Sequence, residues 1–72
     1  MNNQKLSKVQ IEVVSDYLDL LQNGYVNMFA IYQPEYWFIK VRHLTNGRIL
    51  TIRWSCGYAT LCEGKKELKR YA

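Results

Sequence analysis

The chain has 72 residues and a net charge of +4, with 49% apolar and 14% aromatic residues and a single proline. This length suits a single small domain over residues 1–72, and the apolar content excludes the composition of a disordered chain. No window approaches the run of about eighteen apolar residues that spans a membrane, and the N-terminus lacks the apolar segment of a secretory signal. We therefore expect a cytoplasmic protein with no membrane partner.

Charge is distributed unevenly along the chain. Residues 1–35 carry two basic side chains against four acidic ones, whereas residues 36–72 carry eight basic against two acidic. The net charges of the two parts are −2 and +6. This asymmetry indicates a basic surface suited to nucleic acid, another polyanion or an acidic protein, with solubility alone as the alternative explanation.

The first predicted element is a helix over about residues 7–23. Ser7 and Gln10 have the spacing of a capping box at a helix start, and Asn23-Gly24 supplies the stop. The charged side chains of this helix, including Asp16 and Asp19, are expected to face water. The apolar stripe predicted to face the core comprises Leu6, Val9, Val13, Tyr17, Leu20 and Leu21.

A short apolar segment precedes a hairpin. Residues 26–33 favour a strand by their β-branched and aromatic content, with a second short helix as the alternative. Residues 36–44 and 48–56 have the pattern of two strands, and Asn46-Gly47 predicts a two-residue type I′ turn between them. That turn places Lys40 directly opposite Arg53.

Alternation along the hairpin predicts two different faces. One face is too apolar to remain in water and should pack against the helix; it comprises Trp37, Ile39, Val41, Leu50, Ile52, Trp54 and Cys56, with His43 near the turn. The other face mixes aromatic and basic side chains with smaller residues; it comprises Tyr36, Phe38, Lys40, Arg42, Leu44, Ile49, Thr51, Arg53 and Ser55.

The C-terminal part completes the predicted fold. Gly57 permits a further turn, after which residues 58–62 are a candidate strand. Residues 63–72 are expected to form a basic tail with at most a frayed helical turn, because Lys65 and Lys66 lie at the wrong end of a helix dipole. The sequence thus predicts an α+β fold, in which an N-terminal amphipathic helix packs on an antiparallel sheet of three to four strands and a short basic segment follows.

Catalytic and metal chemistry finds no support in the sequence. His43 is the only histidine, and no nucleophile, metal-binding or phosphate-loop motif accompanies it. Cys56 and Cys62 lie six residues apart and, with one histidine, cannot complete a closed zinc site within one chain, so reduced thiols are expected. We therefore predict no enzyme activity, no metal and no cofactor.

The mixed hairpin face is the feature that predicts a ligand. Lys40 opposite Arg53 is a destabilising pair unless an anion, or the carboxylate of Glu35, Glu63 or Glu67, lies between them. Aromatic rings interleaved with cations suit the bases and phosphates of nucleic acid. The sequence therefore predicts a non-enzymatic, nucleic-acid-binding module whose candidate binding residues are Tyr36, Phe38, Lys40, Arg42, Arg48, Arg53, Lys65, Lys66, Lys69 and Arg70.

Two alternatives remain at this point. The first is an ordinary solvated sheet face, which is the normal condition of antiparallel sheets. The second is a protein-interaction factor, such as an adaptor or an inhibitor of a larger complex of the kind that mobile elements encode, with an acidic protein or a second copy as partner. Its support is a surplus of aromatic residues over what the core can hold: Tyr25, Phe29, Tyr32, Tyr36, Phe38, Tyr58 and Tyr71.

Overall fold

A computed structural model describes residues 5–71. They form helix α1 (Lys8–Gln22) and strands β1 (Tyr25–Gln33), β2 (Tyr36–His43), β3 (Ile49–Ser55), β4 (Tyr58–Glu63) and β5 (Lys66–Tyr71). The five strands pair antiparallel in chain order, and α1 packs on one face of their sheet. The α+β class is confirmed, but the strands number five instead of three to four. Residues 1–4 and residue 72, the end of the predicted basic tail, lie outside the described range.

Helix α1 begins at the capping box that the sequence predicts. The Ser7 hydroxyl accepts a hydrogen bond from the Gln10 N–H at 3.2 Å, and Gln10 Oε1 accepts one from the Ser7 N–H at 2.8 Å. These two bonds satisfy backbone donors that every helix start leaves unpaired. Asn23 caps the other end, and Gly24, with φ +92°, turns the chain directly into β1. None of the helices in the described range is long and apolar enough to cross a membrane.

The core lies between α1 and the helix-facing side of the sheet. On the helix, Tyr17 and Leu20 are partly buried and pack against the core. Leu6 and Leu21, the two ends of the predicted stripe, are exposed. The buried stripe is therefore narrower than predicted: Leu6 precedes the helix, and Leu21 lies one position further round the helix than Leu20, which packs against the core. The buried residues are Val9, Val13, Tyr25, Ile39, Val41, Leu50, Ile52, Trp54, Ala59 and Tyr71.

The loop between β2 and β3 is longer than the sequence predicts. The His43 N–H donates to the Arg48 carbonyl at 2.8 Å, which leaves residues 44–47 as a four-residue loop. Asn46 does not have the positive φ that a type I′ turn requires, although Gly47 does, at +75°. The longer loop is stabilised by contacts outside the hairpin: the Leu44 N–H donates to the Gly24 carbonyl at the helix end, at 2.9 Å.

The longer loop shifts the β2–β3 register by two residues from the prediction. Lys40 lies opposite Thr51, and Arg53 lies opposite Phe38, so the predicted like-charge pair does not form. Because side chains alternate with a period of two, this shift leaves each residue on its predicted face. Two assignments nevertheless change, because Leu44 belongs to the loop and Cys56 is exposed in the next turn.

The turn between β3 and β4 has the backbone that was predicted for Asn46-Gly47. Ser55 pairs with Tyr58, and the two central residues, Cys56 and Gly57, have φ of +48° and +101°. Positive φ at both central residues matches the twist of a tight hairpin. Among residues 5–71, Cys56 is the one non-glycine residue with positive φ. For a residue with a Cβ atom, this conformation costs about 1 kcal/mol.

Replacing Cys56 should stabilise the fold. Asparagine tolerates the left-handed conformation better than cysteine, and the exposed Cys56 thiol makes no core contact to lose. We expect Cys56→Asn to raise the free energy of unfolding by about 0.5–1 kcal/mol, measured by urea denaturation. Cys56→Val is the control, because a β-branched residue is strained at positive φ and should destabilise. Equal stabilities for the two variants would contradict this account.

The C-terminal segment is a strand, not the predicted tail with a frayed helical turn. Gly64, with φ +60°, allows a tight turn after β4, and β5 then pairs with β4. A bulge at Leu68 interrupts the alternation, so that Glu67 and Arg70 face away from the helix while Lys69 and Tyr71 face it. Tyr71 is only 1% exposed and closes the core. Pairing with the otherwise open edge of β4 outweighs the high charge of this segment.

Candidate functional site

The sheet face that points away from α1 is the candidate site, and we call it the open face. In the described range, no helix or loop packs over it. Its charged members are Lys40, Arg42, Arg53, Arg70 and Glu67. The open face comprises Val26, Phe29, Ile31, Gln33, Tyr36, Phe38, Lys40, Arg42, Ile49, Thr51, Arg53, Ser55, Tyr58, Thr60, Cys62, Glu67 and Arg70.

Three cations of the open face lack acidic partners. Among residues 5–71, no carboxylate oxygen lies within 4.0 Å of a side-chain nitrogen of Lys40, Arg42 or Arg53. Glu35, Glu63 and Glu67, the predicted internal counter-charges, therefore do not neutralise this group. The three side chains remain available to an external anion.

Aromatic rings lie directly beside these cations. Phe29 of β1 and Phe38 of β2 contact each other edge to face, with ring centroids 5.9 Å apart. The Arg53 guanidinium lies over the Phe38 ring, 5.4 Å from its centroid. Phe29 remains 52% exposed, so a large planar surface faces water next to Lys40, its cross-strand neighbour. Planar apolar surface beside positive charge suits a ligand that is both aromatic and anionic.

The far edge of the open face is partly neutralised. Arg70 of β5 donates to both carboxylate oxygens of Glu67, at 2.9 and 3.1 Å. The same guanidinium lies over the Tyr58 ring, 5.6 Å from its centroid. These hydrogen bonds raise the pKa of Arg70 and lower that of Glu67. Among the described strand residues of the open face, Glu67 is the one that carries a carboxylate. The cations of this face without an ion pair therefore lie on β2 and β3.

The structure separates the predicted binding residues into two groups. Tyr36, Phe38, Lys40, Arg42, Arg53 and Arg70 lie together on the open face. Arg48 instead forms a bidentate ion pair with Glu63 on the helix-facing side, at 2.9 and 3.0 Å. Its hydrogen bonds raise the pKa of Arg48 and lower that of Glu63.

The remaining basic residues of the C-terminal segment are also away from the open face. Lys65 lies in the β4–β5 turn, and Lys66 lies opposite Glu63 in the strand register, on the helix-facing side. Lys69 donates to Asp16 of the helix at 2.8 Å. Of the four basic residues predicted to form a basic tail, Lys69 and Arg70 therefore form ion pairs within the described chain.

Asp16 ties the helix to the last strand. Its Oδ2 accepts hydrogen bonds from the Tyr71 hydroxyl at 2.7 Å and from Lys69 Nζ at 2.8 Å. The prediction that Asp16 faces water is therefore wrong, because β5 folds back over this side of the helix. Partial burial alone would raise the pKa of Asp16, but the bonds from Lys69 and Tyr71 outweigh it and lower the pKa. Burial raises the pKa of Tyr71, and the bond to Asp16 raises that of Lys69.

These shifts predict how stability depends on pH. Because the pKa of Asp16 is lowered below 3.8 in the fold, its contribution is present above that value and is lost as pH falls through the lowered pKa. The raised pKa values of Tyr71 and Lys69 act at the other end, where stability is lost as pH rises above about 10. Urea midpoints from pH 2 to 11 should show a plateau between these limits. Asp16→Asn should flatten the acid limb, and an unchanged acid limb would contradict the assignment.

Sequence reasoning missed two aromatic members of the open face. Phe29 and Tyr58 are both 52% exposed, yet neither was assigned to the binding surface. The signal for Phe29 was present, since a two-residue loop at Pro34-Glu35 sets Gln33 opposite Tyr36 and alternation then places Phe29 on the same side. Tyr58 follows from the same logic across the Cys56-Gly57 turn.

A cleft of about 560 Å³ lies on the other side of the molecule, between the start of α1 and the β1–β2 turn. Its walls include the rings of Tyr32, Trp37 and Trp54, and Lys5 is its one charged side chain. No carboxylate lines it, and no group of three or more metal-binding side chains occurs among residues 5–71. The open face thus offers more recognisable chemistry than the cleft.

Comparison of the chain with protein-family models, with curated proteins and with solved structures gives no match.

Proposed function

We propose that the protein is a non-enzymatic module that binds nucleic acid through its open face. The observation that carries the proposal is the group of three basic side chains, Lys40, Arg42 and Arg53, which form no ion pair with any carboxylate of residues 5–71 and lie near the exposed ring of Phe29. Phosphates attract such cations without regard to sequence, and aromatic side chains accept base faces.

The distribution of ion pairs supports this assignment. Arg48, Lys69 and Arg70 each form an ion pair with a carboxylate of the same chain. On the open face itself, Glu67 pairs with Arg70 at the β5 edge, whereas Lys40, Arg42 and Arg53 on the inner strands form no ion pair among residues 5–71. A surface that served solubility alone would gain nothing from concentrating free charge beside exposed aromatic rings.

Fluorescence anisotropy with labelled oligonucleotides tests the proposal. The protein should bind at 50 mM salt, and the affinity should fall linearly with the logarithm of salt concentration, as counterion release requires. Arg53→Gln should weaken binding and reduce the salt slope by roughly 1. Lys8→Gln on the exposed side of the helix changes the net charge equally and should leave both quantities unchanged. No binding at low salt, or equal effects of the two variants, would show that the proposal is wrong.

Removing the carboxylate of the open face should strengthen binding. Glu67→Gln deletes a negative charge and releases Arg70 from its bidentate pair, so Arg70 becomes available to a phosphate. We expect an affinity about threefold higher at low salt and a salt slope steeper by about 0.7 for single strands. Glu63→Gln is the matched control, since its partner Arg48 lies on the other side of the sheet. Weaker binding by Glu67→Gln would contradict the proposal that nucleic acid binds to the open face.

A second candidate, self-association, is favoured by the sequence of one sheet edge. Strand β1 is nine residues long, forms an outer edge of the sheet and contains no charged residue. The opposite edge, β5, carries four charged side chains in six residues. Uncharged edges with free backbone hydrogen-bonding groups pair readily with another strand, and a second copy of β1 would bring no like charges together. The candidate role is that of a homodimeric interaction factor.

Sedimentation velocity decides this second candidate. If β1 pairs with its copy, the protein should sediment as a dimer at high concentration, and Tyr32→Lys should restore a monomer because charge on an edge strand blocks pairing. Tyr32 is 59% exposed, so the substitution should be tolerated by the fold. A wild-type monomer at all concentrations would exclude the homodimer.

A further inference from the structure

The strand registers arrange the open face in rows. One row runs through Ile31, Phe38, Arg53, Thr60 and Arg70, and the next through Phe29, Lys40, Thr51, Cys62 and Glu67. Arg42 lies in the following row, two residues along β2 from Lys40. Neighbouring strands lie about 4.8 Å apart, and neighbouring rows about 7 Å apart.

The three cations form a bent line on this grid, with one diagonal step and one step along β2. Arg53 and Lys40 are diagonal neighbours on β3 and β2, about 7–8 Å apart at their backbones. Lys40 and Arg42 are separated by two residues along β2, which is about 7 Å. Neighbouring cations along the line are thus separated by about 7–8 Å at their backbones. Because lysine and arginine side chains are long and flexible, their charged ends can reach successive phosphates of one flexible strand.

Two aromatic rings of the open face, Phe29 and Phe38, lie on the β1 side of this line. Phe29, on the outer strand β1, is the cross-strand neighbour of Lys40, and Phe38 lies between Arg53 and Ile31 in its row. The guanidinium of Arg53 over the Phe38 ring adds a further planar group. A strand whose phosphates follow the cations would therefore direct its bases toward Phe29 and Phe38.

A double helix cannot use this arrangement. Its bases are stacked inside, so a ring on a flat protein surface would meet only sugar and phosphate, and the exposed apolar area would gain no stacking. Single strands expose their base faces, and stacking on aromatic side chains is tolerant of sequence. Within residues 5–71, no helix or β-ribbon projects from the open face to enter a groove.

We infer that the ligand of the open face is a single strand of DNA or RNA, which resides with its phosphates along Arg53, Lys40 and Arg42 and its bases against Phe29 and Phe38. This inference rests on the proposed function and specifies its substrate class. Three phosphate contacts predict a logarithmic salt slope of about −2 for single strands. The contacts involve the backbone and base faces, so little sequence preference is expected.

The decisive experiment compares single-stranded and duplex oligonucleotides of the same sequence by fluorescence anisotropy. The wild-type protein should bind the single strand at least about tenfold more tightly. Phe29→Ala should weaken single-strand binding about tenfold and leave the salt slope unchanged, because it removes stacking but no charge. Phe29→Tyr should retain the affinity of the wild type. Tyr32→Ala is the matched control: Tyr32 is similarly exposed on β1 but faces the helix side.

The outcomes separate this inference from the proposed function. Equal or tighter binding of the duplex, or an unchanged single-strand affinity of Phe29→Ala, would overturn the single-strand assignment while nucleic-acid binding stands. No binding of either form at low salt would overturn the proposed function itself. Unfolding midpoints measured for each variant confirm that a loss of affinity does not arise from a loss of fold.

Discussion

Tyr71→Ala should destabilise the fold by about 3–5 kcal/mol. The Tyr71 side chain is 1% exposed, packs against the core cluster and donates its hydroxyl to Asp16. Truncating a buried aromatic residue to alanine costs about 3–5 kcal/mol, whereas domains of this length have a total stability of only about 4–11 kcal/mol. The variant should therefore show a much lower urea midpoint, measured by the combined fluorescence of Trp37 and Trp54.

Two further variants separate the causes of that loss. Tyr71→Phe keeps the ring and removes only the hydrogen bond to Asp16, so we expect a loss of about 1–2 kcal/mol. Leu68→Ala lies on the same strand, at the bulge, where the side chain is 38% exposed; its cost should stay below about 1 kcal/mol. A Tyr71→Ala protein as stable as the wild type would show that β5 does not close the core.

Reversing two charges at the centre of the open face should abolish nucleic-acid binding. In the double variant Lys40→Glu with Arg53→Glu, two phosphate contacts become repulsive. If each charge reversal weakens the binding free energy by at least about 1.4 kcal/mol, the affinity of the double variant falls by about a hundredfold or more at low salt. Both positions are solvent-accessible and opposite uncharged residues, Thr51 and Phe38, so the fold should tolerate the change. Anisotropy titrations at 50 mM salt would measure the loss.

The control for this variant has the same net charge. Lys5→Glu with Lys8→Glu reverses two exposed cations near the start of α1, on the other side of the sheet. If general electrostatic attraction alone governed binding, both double variants would lose affinity equally. A face-specific site requires that the helix variant retain affinity close to that of the wild type, so equal losses would contradict our assignment.

The helix is the part of the fold that sequence alone predicts well. Its start depends on the side chains of Ser7 and Gln10, and its end on Asn23 and Gly24, all of which act within a few residues. Capping interactions between residues so close in sequence do not depend on the rest of the molecule. The exposure of Leu6 and Leu21 could not be foreseen, because the part of the helix surface that a sheet covers is a property of the assembled core.

The β2–β3 register shows where local signals fail. Asn-Gly strongly favours a type I′ turn, but the four-residue loop gains a hydrogen bond from Leu44 to Gly24, and His43 Nδ1 accepts from the Thr45 and Asn46 N–H groups at 3.2 and 3.3 Å. The first of these contacts joins distant parts of the chain. The predicted pair of Lys40 opposite Arg53 is therefore wrong. The predicted faces of the strands are nevertheless right, because a shift of two residues does not change the side on which a side chain lies.

The candidate site was predictable in part for the same reason. Alternation alone placed Lys40, Arg42 and Arg53 together on one face, and the structure has them there. The C-terminal cations could not be assigned, because their positions depend on the bulge at Leu68 and on a pairing with Asp16 that lies 53 residues away from Lys69. Charge along a sequence shows how many cations exist, but only tertiary contacts show which of them are neutralised.

The contact between Tyr71 and Asp16 also determines the order in which the chain can fold during synthesis. The helix and each hairpin form from neighbouring residues, whereas this contact spans 55 positions. While β5 is still inside the ribosome, Ala59 and the facing turns of the helix lack the side chain that covers them. The packing of the N-terminal helix is therefore completed only after β5 has been synthesised, and until then the nascent protein exposes apolar surface that β5 later covers.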